Sequence, residues 1–111
     1  MKKFLLLYTA PAEVREKMQN ASPEEMTAGM QPWIEWFGKV GTNLVDKGMP
    51  LAHAMTVTKD GEMPGNVEFV GYNIIQAEDI DGAMEIAKQN PHIQREGATV
   101  EVHEMMPMPG M

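Results

Sequence analysis

Hydrophobic and polar positions follow two different periods along this chain. Phe4-Leu5-Leu6-Leu7-Tyr8 is apolar on successive residues, which predicts a buried strand over 3–9, bounded by Pro11. Residues 10–21 read as a polar loop. Ser22-Pro23-Glu24-Glu25 then combines a capping serine, a proline at the first helical position and a glutamate three residues after the cap. Apolar residues recur at Met26, Met30, Trp33 or Ile34, Phe37, Val40 or Gly41, and Leu44. That spacing predicts a helix from Ser22 to Gly48, with Lys47 placed favourably in its last turn. Pro32 lacks a backbone donor and predicts a kink or split near residue 31. Beyond Gly48 the period changes to two. Leu51, His53, Met55 and Val57 alternate with Ala52, Ala54 and Thr56, a strand over 50–58. Lys59-Asp60-Gly61-Glu62 and Pro64-Gly65 are turn and loop signals. Residues 66–77 predict a third strand whose centre, Phe69 to Ile75, is apolar on both faces. Glu78 or Asp79 opens a second helix with Ile80, Ala83, Met84 and Ala87 as its buried stripe, and Asn90-Pro91 ends it. The last strand, 98–105, puts Val100 and Val102 on one face and Glu101, His103 and Met105 on the other.

The order β-α-β-β-α-β predicts an α+β domain, a ferredoxin-like four-stranded antiparallel sheet with both helices on one face. The first and third strands are apolar on both faces, so the helix-free face needs a cover of its own. The cheapest cover is a second copy, in a two-fold homodimer packed through that face.

Composition narrows the function classes. A chain of 111 residues, 43% apolar, is one domain over 1–111, with about 104–111 as a flexible Met/Pro tail. Nine basic against 16 acidic residues give a net charge of −7, which argues against nucleic acid or an anionic membrane as main partner. The absence of cysteine excludes disulfides, zinc thiolates, iron–sulfur clusters and thiol nucleophiles. Lys2-Lys3 followed by an apolar run resembles a secretory signal in outline. The unbroken run of Phe4 to Tyr8 is short for that purpose, and the strand reading predicts a cytoplasmic protein.

Several blocks together resemble the YCII-related family, with its DGPF-type branch. They are Lys3-Phe4-Leu5-Leu6-Leu7-Tyr8, Ser22-Pro23-Glu24-Glu25-Met26, Gly71-Tyr72-Asn73-Ile74-Ile75, Ala83-Met84-Glu85-Ile86-Ala87, and Asn90-Pro91-His92 followed by Gly97 and Val100-Glu101-Val102. The resemblance spans nearly the whole chain and implies a dimeric α+β barrel fold. Two departures stand out. The branch's Asp-Gly-Pro-Phe segment is absent, since that region reads Asp60-Gly61-Glu62-Met63-Pro64-Gly65. The resemblance also implies a His–Asp pair on the first helix. Asp46 matches the Asp, but Phe37 stands near the His position.

Three histidines carry the remaining chemistry. His92, at a position matching the family, is a candidate acid/base, with Asp46 or Glu101 as supporting carboxylate; its bland alternative is a helix-end cap. His53 could line a pocket or pack at an interface. His103 shares a strand face with Glu101 two residues away, a pair able to move a proton but offering only two of the three ligands a catalytic metal wants. Tyr8, Trp33 and Phe37 could wall an aromatic substrate pocket, or be core, and Met26, Met30, Met55 and Met84 read as core filling. Thioethers in the Met-rich tail suit Cu(I), but nothing around them supports a site. The leading expectation is a small enzyme, without cofactor or metal, that abstracts a proton from a small apolar or aromatic molecule as an isomerase, lyase or dehydrohalogenase. The alternatives are a cofactor-free oxygenase of the same barrel type and a non-catalytic ligand-binding or interaction domain.

Overall fold

The computed structural model describes residues 1–110; Met111, the last residue of the expected tail, lies outside the described residues. The chain is α+β. Its elements are β1 (Lys2–Thr9), α1 (Ala12–Gln19), α2 (Pro23–Val40), β2 (Leu44–Asp46), β3 (Met55–Thr58), β4 (Gly61–Pro64), β5 (Phe69–Ala77), α3 (Ile80–Lys88) and β6 (Thr99–Met105). Four strands form an antiparallel sheet in the order β2-β5-β1-β6, and β3 and β4 form a separate hairpin. Among the described residues, no helix is long and apolar enough to cross a membrane.

The apolar run at the start is central because both of its edges are paired and one of its faces is buried. β1 pairs with β5 on one side and β6 on the other. Phe4, Leu6 and Tyr8 point to the helices and pack with Trp36 and Val40 of α2, Ile75 and Ala77 of β5, and Ala83 and Ala87 of α3. Alanine at two successive turns lets α3 lie close against the sheet. The Trp36 indole N–H ties the two helices by donating to the Ile86 carbonyl at 3.2 Å. Alternate residues Leu5, Leu7, Tyr72 and Ile74 face the other way and are only half-buried, because none of the described elements covers that face.

Four sequence expectations are corrected. Residues 12–19 are helical, not loop; the segment is rich in strong helix formers but buries no side chain, so it leaves no periodic signal. The main helix stops at Val40, because Gly41 takes φ +60°, and Leu44–Asp46 instead supply the fourth strand of the sheet. Only Met55–Thr58 of the expected 50–58 strand is a strand, and it belongs to the hairpin. Finally, Met26, Met30, Met55 and Met84 are exposed rather than core. Pro32 does not split α2, and the Ser22–Glu25 capping box forms as the sequence predicts.

The surface is large for the mass. It measures 8021 Å², against about 6,100 Å² for a compact monomer of 12.4 kDa. The radius of gyration is 15.5 Å, against about 13 Å for a compact chain of this length.

Gly48 has φ +69°, and a Cβ there would overlap the Tyr72 carbonyl oxygen. Gly48→Ala is therefore expected to lower stability by at least about 2 kcal/mol, read as a reduced urea midpoint with an unchanged slope. A change under about 0.5 kcal/mol would show that this turn relaxes freely.

Candidate functional site

The helix-side core contains one polar system. Tyr8 sits on β1 among apolar side chains, so its hydroxyl needs protein partners. It donates to Asn73 Oδ1 on β5 and accepts from Asn90 Nδ2, just past α3, at 3.0 Å. Asn73 Nδ2 in turn donates to the Lys47 carbonyl at 2.6 Å. Asn90 Oδ1 accepts from the His92 backbone N–H at 2.8 Å, opening the short 3₁₀ turn Pro91–Gln94. Burial pushes the Tyr8 phenol well above its ordinary range, so it stays a neutral donor.

His92 completes this system. It is 4% exposed, and its ring stacks edge-on to Tyr8 at 5.2 Å. Nε2 lies 2.7 Å from the Thr9 carbonyl. A carbonyl only accepts, so Nε2 carries the proton. Burial draws the imidazole below the usual histidine range; the bond to Thr9 opposes this and the charge of Arg95 adds to it. His92 is thus a neutral buried side chain that pins the chain after α3 to the end of β1. Its ring bonds Thr9 rather than a carbonyl of α3, so it does not cap that helix.

The expected aromatic walls are brought together, but onto one another. Tyr8 meets Trp33 at 5.2 Å, and Trp33, Trp36 and Phe37 pack at 5.7–6.0 Å, with Lys47 Nζ 5.7 Å above the Phe37 ring. Two surface concavities measure about 460 Å³, beside Pro23, Glu24, Thr27 and Ala28, and about 130 Å³, between α2 and α3 beside Trp36, Lys39 and Ile86; Tyr8, Trp33 and Phe37 line neither.

The carboxylates expected to support His92 are not with it. Asp46 is in edge strand β2 rather than at a helix end, and its Oδ1 accepts from the Gly48 N–H at 2.7 Å. Glu101 stands opposite Leu7 in the register of β1 and β6, on the face away from Tyr8 and His92. His53 lies outside any strand, exposed, on the approach to the hairpin.

The helix-free face does assemble one pair. His103 Nε2 lies 2.8 Å from Glu101 Oε1. A carboxylate accepts, so Nε2–H donates and Nδ1 is left with its lone pair. Beside this pair run Leu5 and Leu7, then Ile74 and Tyr72, which are their partners on β5. Asp46 stands in line with Ile74, Leu5 and His103 at the far edge, three strand spacings or about 14 Å away. Tyr72, Asn73 and Asn90 are absent from the sequence-based candidates. An asparagine inside the apolar run of β5 is the available signal for Asn73. Asn90 carried only a helix-stop reading. Among the described residues, no three His, Asp or Glu side chains gather as a metal would require.

Comparison with protein-family models and with curated proteins finds no match to this chain.

Between about pH 6.5 and the lowered pKa of folded His92, the unfolded chain binds a proton that the folded chain refuses. Stability is therefore expected to fall as pH drops from 7.5 to 5.0. His92→Gln, whose amide can still donate to Thr9, should lose less over that interval. Thermal melts of the two proteins at both pH values check this; parallel losses would remove the titration from His92.

Proposed function

We propose that the chain is a YCII-related, ferredoxin-like protomer, acting in the cytoplasm, that pairs with a second copy through its helix-free sheet face. Between the sheets, the Glu101–His103 pair would transfer a proton on a small, partly apolar molecule. The sheet order β2-β5-β1-β6 with helices on one face supports the fold part of this reading. The observation that carries the chemistry is the 2.8 Å contact of His103 with Glu101 beside the uncovered apolar residues Leu5, Leu7, Tyr72 and Ile74. Glu101 orients the imidazole and stabilises the imidazolium, and Nδ1 takes a proton from a carbon next to a carbonyl or a leaving group. A second sheet over this face would exclude water and strengthen both interactions. His92 has no part in the reaction, because it is committed to Thr9 in the core.

One observation favours a second reading, a ligand-binding domain without turnover. Neither residue of the pair lines either of the two concavities described above. An apolar floor with few polar groups is sufficient for binding alone.

Deuterium uptake from solvent into a panel of small aryl carbonyl compounds separates the two. The expected result is exchange at the carbon beside the carbonyl, reduced ~100-fold or more in His103→Gln and less severely in Glu101→Gln, with His92→Gln unchanged. Compounds that bind but exchange at the same rate with His103→Gln as with the unmodified protein would leave the binding reading alone.

A further inference from the structure

The Glu101–His103 pair leaves one ring nitrogen over. His103 donates through Nε2–H to Glu101 at 2.8 Å, so the Nδ1 lone pair is unshared, and the side chain is half in water. A histidine that binds a metal almost always donates its other ring N–H to a carboxylate or a carbonyl, which fixes the tautomer and aims the ligating nitrogen. His103 has that arrangement before any ion arrives. His92 has it in form, through Thr9, but at 4% exposure its ring is closed to an ion from solvent.

The groups around His103 decide which ion would fit. Among the described residues no third imidazole or carboxylate joins the pair, so zinc, which takes three or four protein ligands, lacks its set. Thioethers are present instead. Met105 lies two residues on in β6, on the same face as His103 and about 7 Å along the strand. The register agrees, since Leu5 stands opposite His103 and Lys3 opposite Met105. Met106 and Met108 follow directly, and Pro107 between them has no N–H with which to extend the sheet. The three methionines are 40%, 80% and 65% exposed. Methionine ordinarily fills gaps in a core, and none of these three does so. Thioether sulfur is a soft donor that selects Cu(I), and imidazole also suits copper. From the sequence the tail's sulfurs lacked a supporting group; the ordered imidazole of His103 is one. Charge favours a cation as well, through Glu101 and a net −7, against the exposed ammonium of Lys3. His53 and Met55 repeat the two-residue spacing, but His53 lies outside any strand, and the next methionine is Met63.

We propose that His103 Nδ1, with the thioethers of Met105, Met106 and Met108, forms a binding site for Cu(I), and that Glu101 is its positioning residue. The site shares the Glu101–His103 pair with the proposed reaction but does not depend on it. The two compete, because an ion on Nδ1 occupies the lone pair that would take the proton.

Titration of the full chain with Cu(I), under ascorbate and without oxygen, against a colorimetric Cu(I) chelator tests this. The expected result is one ion per chain. Its dissociation constant should rise at least ~10-fold in His103→Gln, in Met105→Leu and in Met106→Leu/Met108→Leu, and ~10–100-fold in Glu101→Gln, with His53→Gln unchanged. Absence of binding overturns the proposal, as does binding that ignores His103→Gln or that Zn²⁺ matches in affinity. Silver(I), a diamagnetic probe of the same softness, gives a second reading on the unmodified protein and guards against variants that misfold. The methyl resonances of Met105, Met106 and Met108 and the ring of His103 should shift together; shifts at His53 and Met55 in their place overturn the assignment. The deuterium-exchange assay separates this site from the reaction. Copper binding without exchange activity upholds the site and removes the reaction, and exchange without copper binding does the reverse. Where both hold, one equivalent of Cu(I) should suppress exchange; exchange that continues at the same rate with the ion bound overturns its placement on Nδ1.

Discussion

Tyr8 is buried with its ring edge-on to Trp33 and His92, out of reach of bulk water, so the hydrogen bonds of its hydroxyl must come from the chain itself. Asn73 and Asn90 supply them from β5 and from the exit of α3. Each asparagine also makes a second bond. Asn73 holds the Lys47 carbonyl before Gly48, and Asn90 starts the turn that carries His92. His92 then returns to the backbone of Thr9, one residue past the tyrosine. Segments more than sixty residues apart are thereby tied to one oxygen atom, and every buried side-chain nitrogen and oxygen among the described residues has a partner. Such a system is stable only when complete, because losing one member leaves the others desolvated and unpaired. That cost accounts for a histidine and two asparagines in this core on structural grounds.

The sheet divides the chemistry between its two faces. On the helix side, polar groups are enclosed and mutually satisfied, and the histidine there has no free approach. On the other side, Glu101 and His103 keep their contact while remaining half in water. In that setting the hydrogen bond contributes little to stability, since water competes for both partners. Beside Leu5 and Leu7, a covered face would give the pair both a low dielectric and a substrate-sized apolar floor.

Sequence patterning made β1, β5, α3 and β6 legible to within a few residues, because each has a buried face with a clear period. The Glu101–His103 pair was legible for the same reason, as residues two apart on a strand share a face. It failed where burial is absent or shared. α1 buries nothing and so shows no stripe. The stripe through Met26, Met30 and Ile34 is a true helical period, but it faces outward, and periodicity cannot say what lies against it. Phe37 to Leu44 continued the helical spacing across Gly41, where the backbone leaves the helix; only the glycine recorded the change. The role of His92 could not be read at all, because its partner Thr9 is 83 residues distant.

These misreadings have a common physical origin. Apolar patterning reports that a surface must be removed from water, not which surface removes it. For Phe4, Leu6 and Ile75 the answer is inside the chain, and the core is complete there. For Met26, Met30, Met55 and Val57 the chain offers no answer, although the same pattern is present. The pattern therefore does not separate a core position from a surface one: the helical spacing that buries Trp36 and Val40 on one side of α2 leaves Met26 and Met30 of the same helix in water.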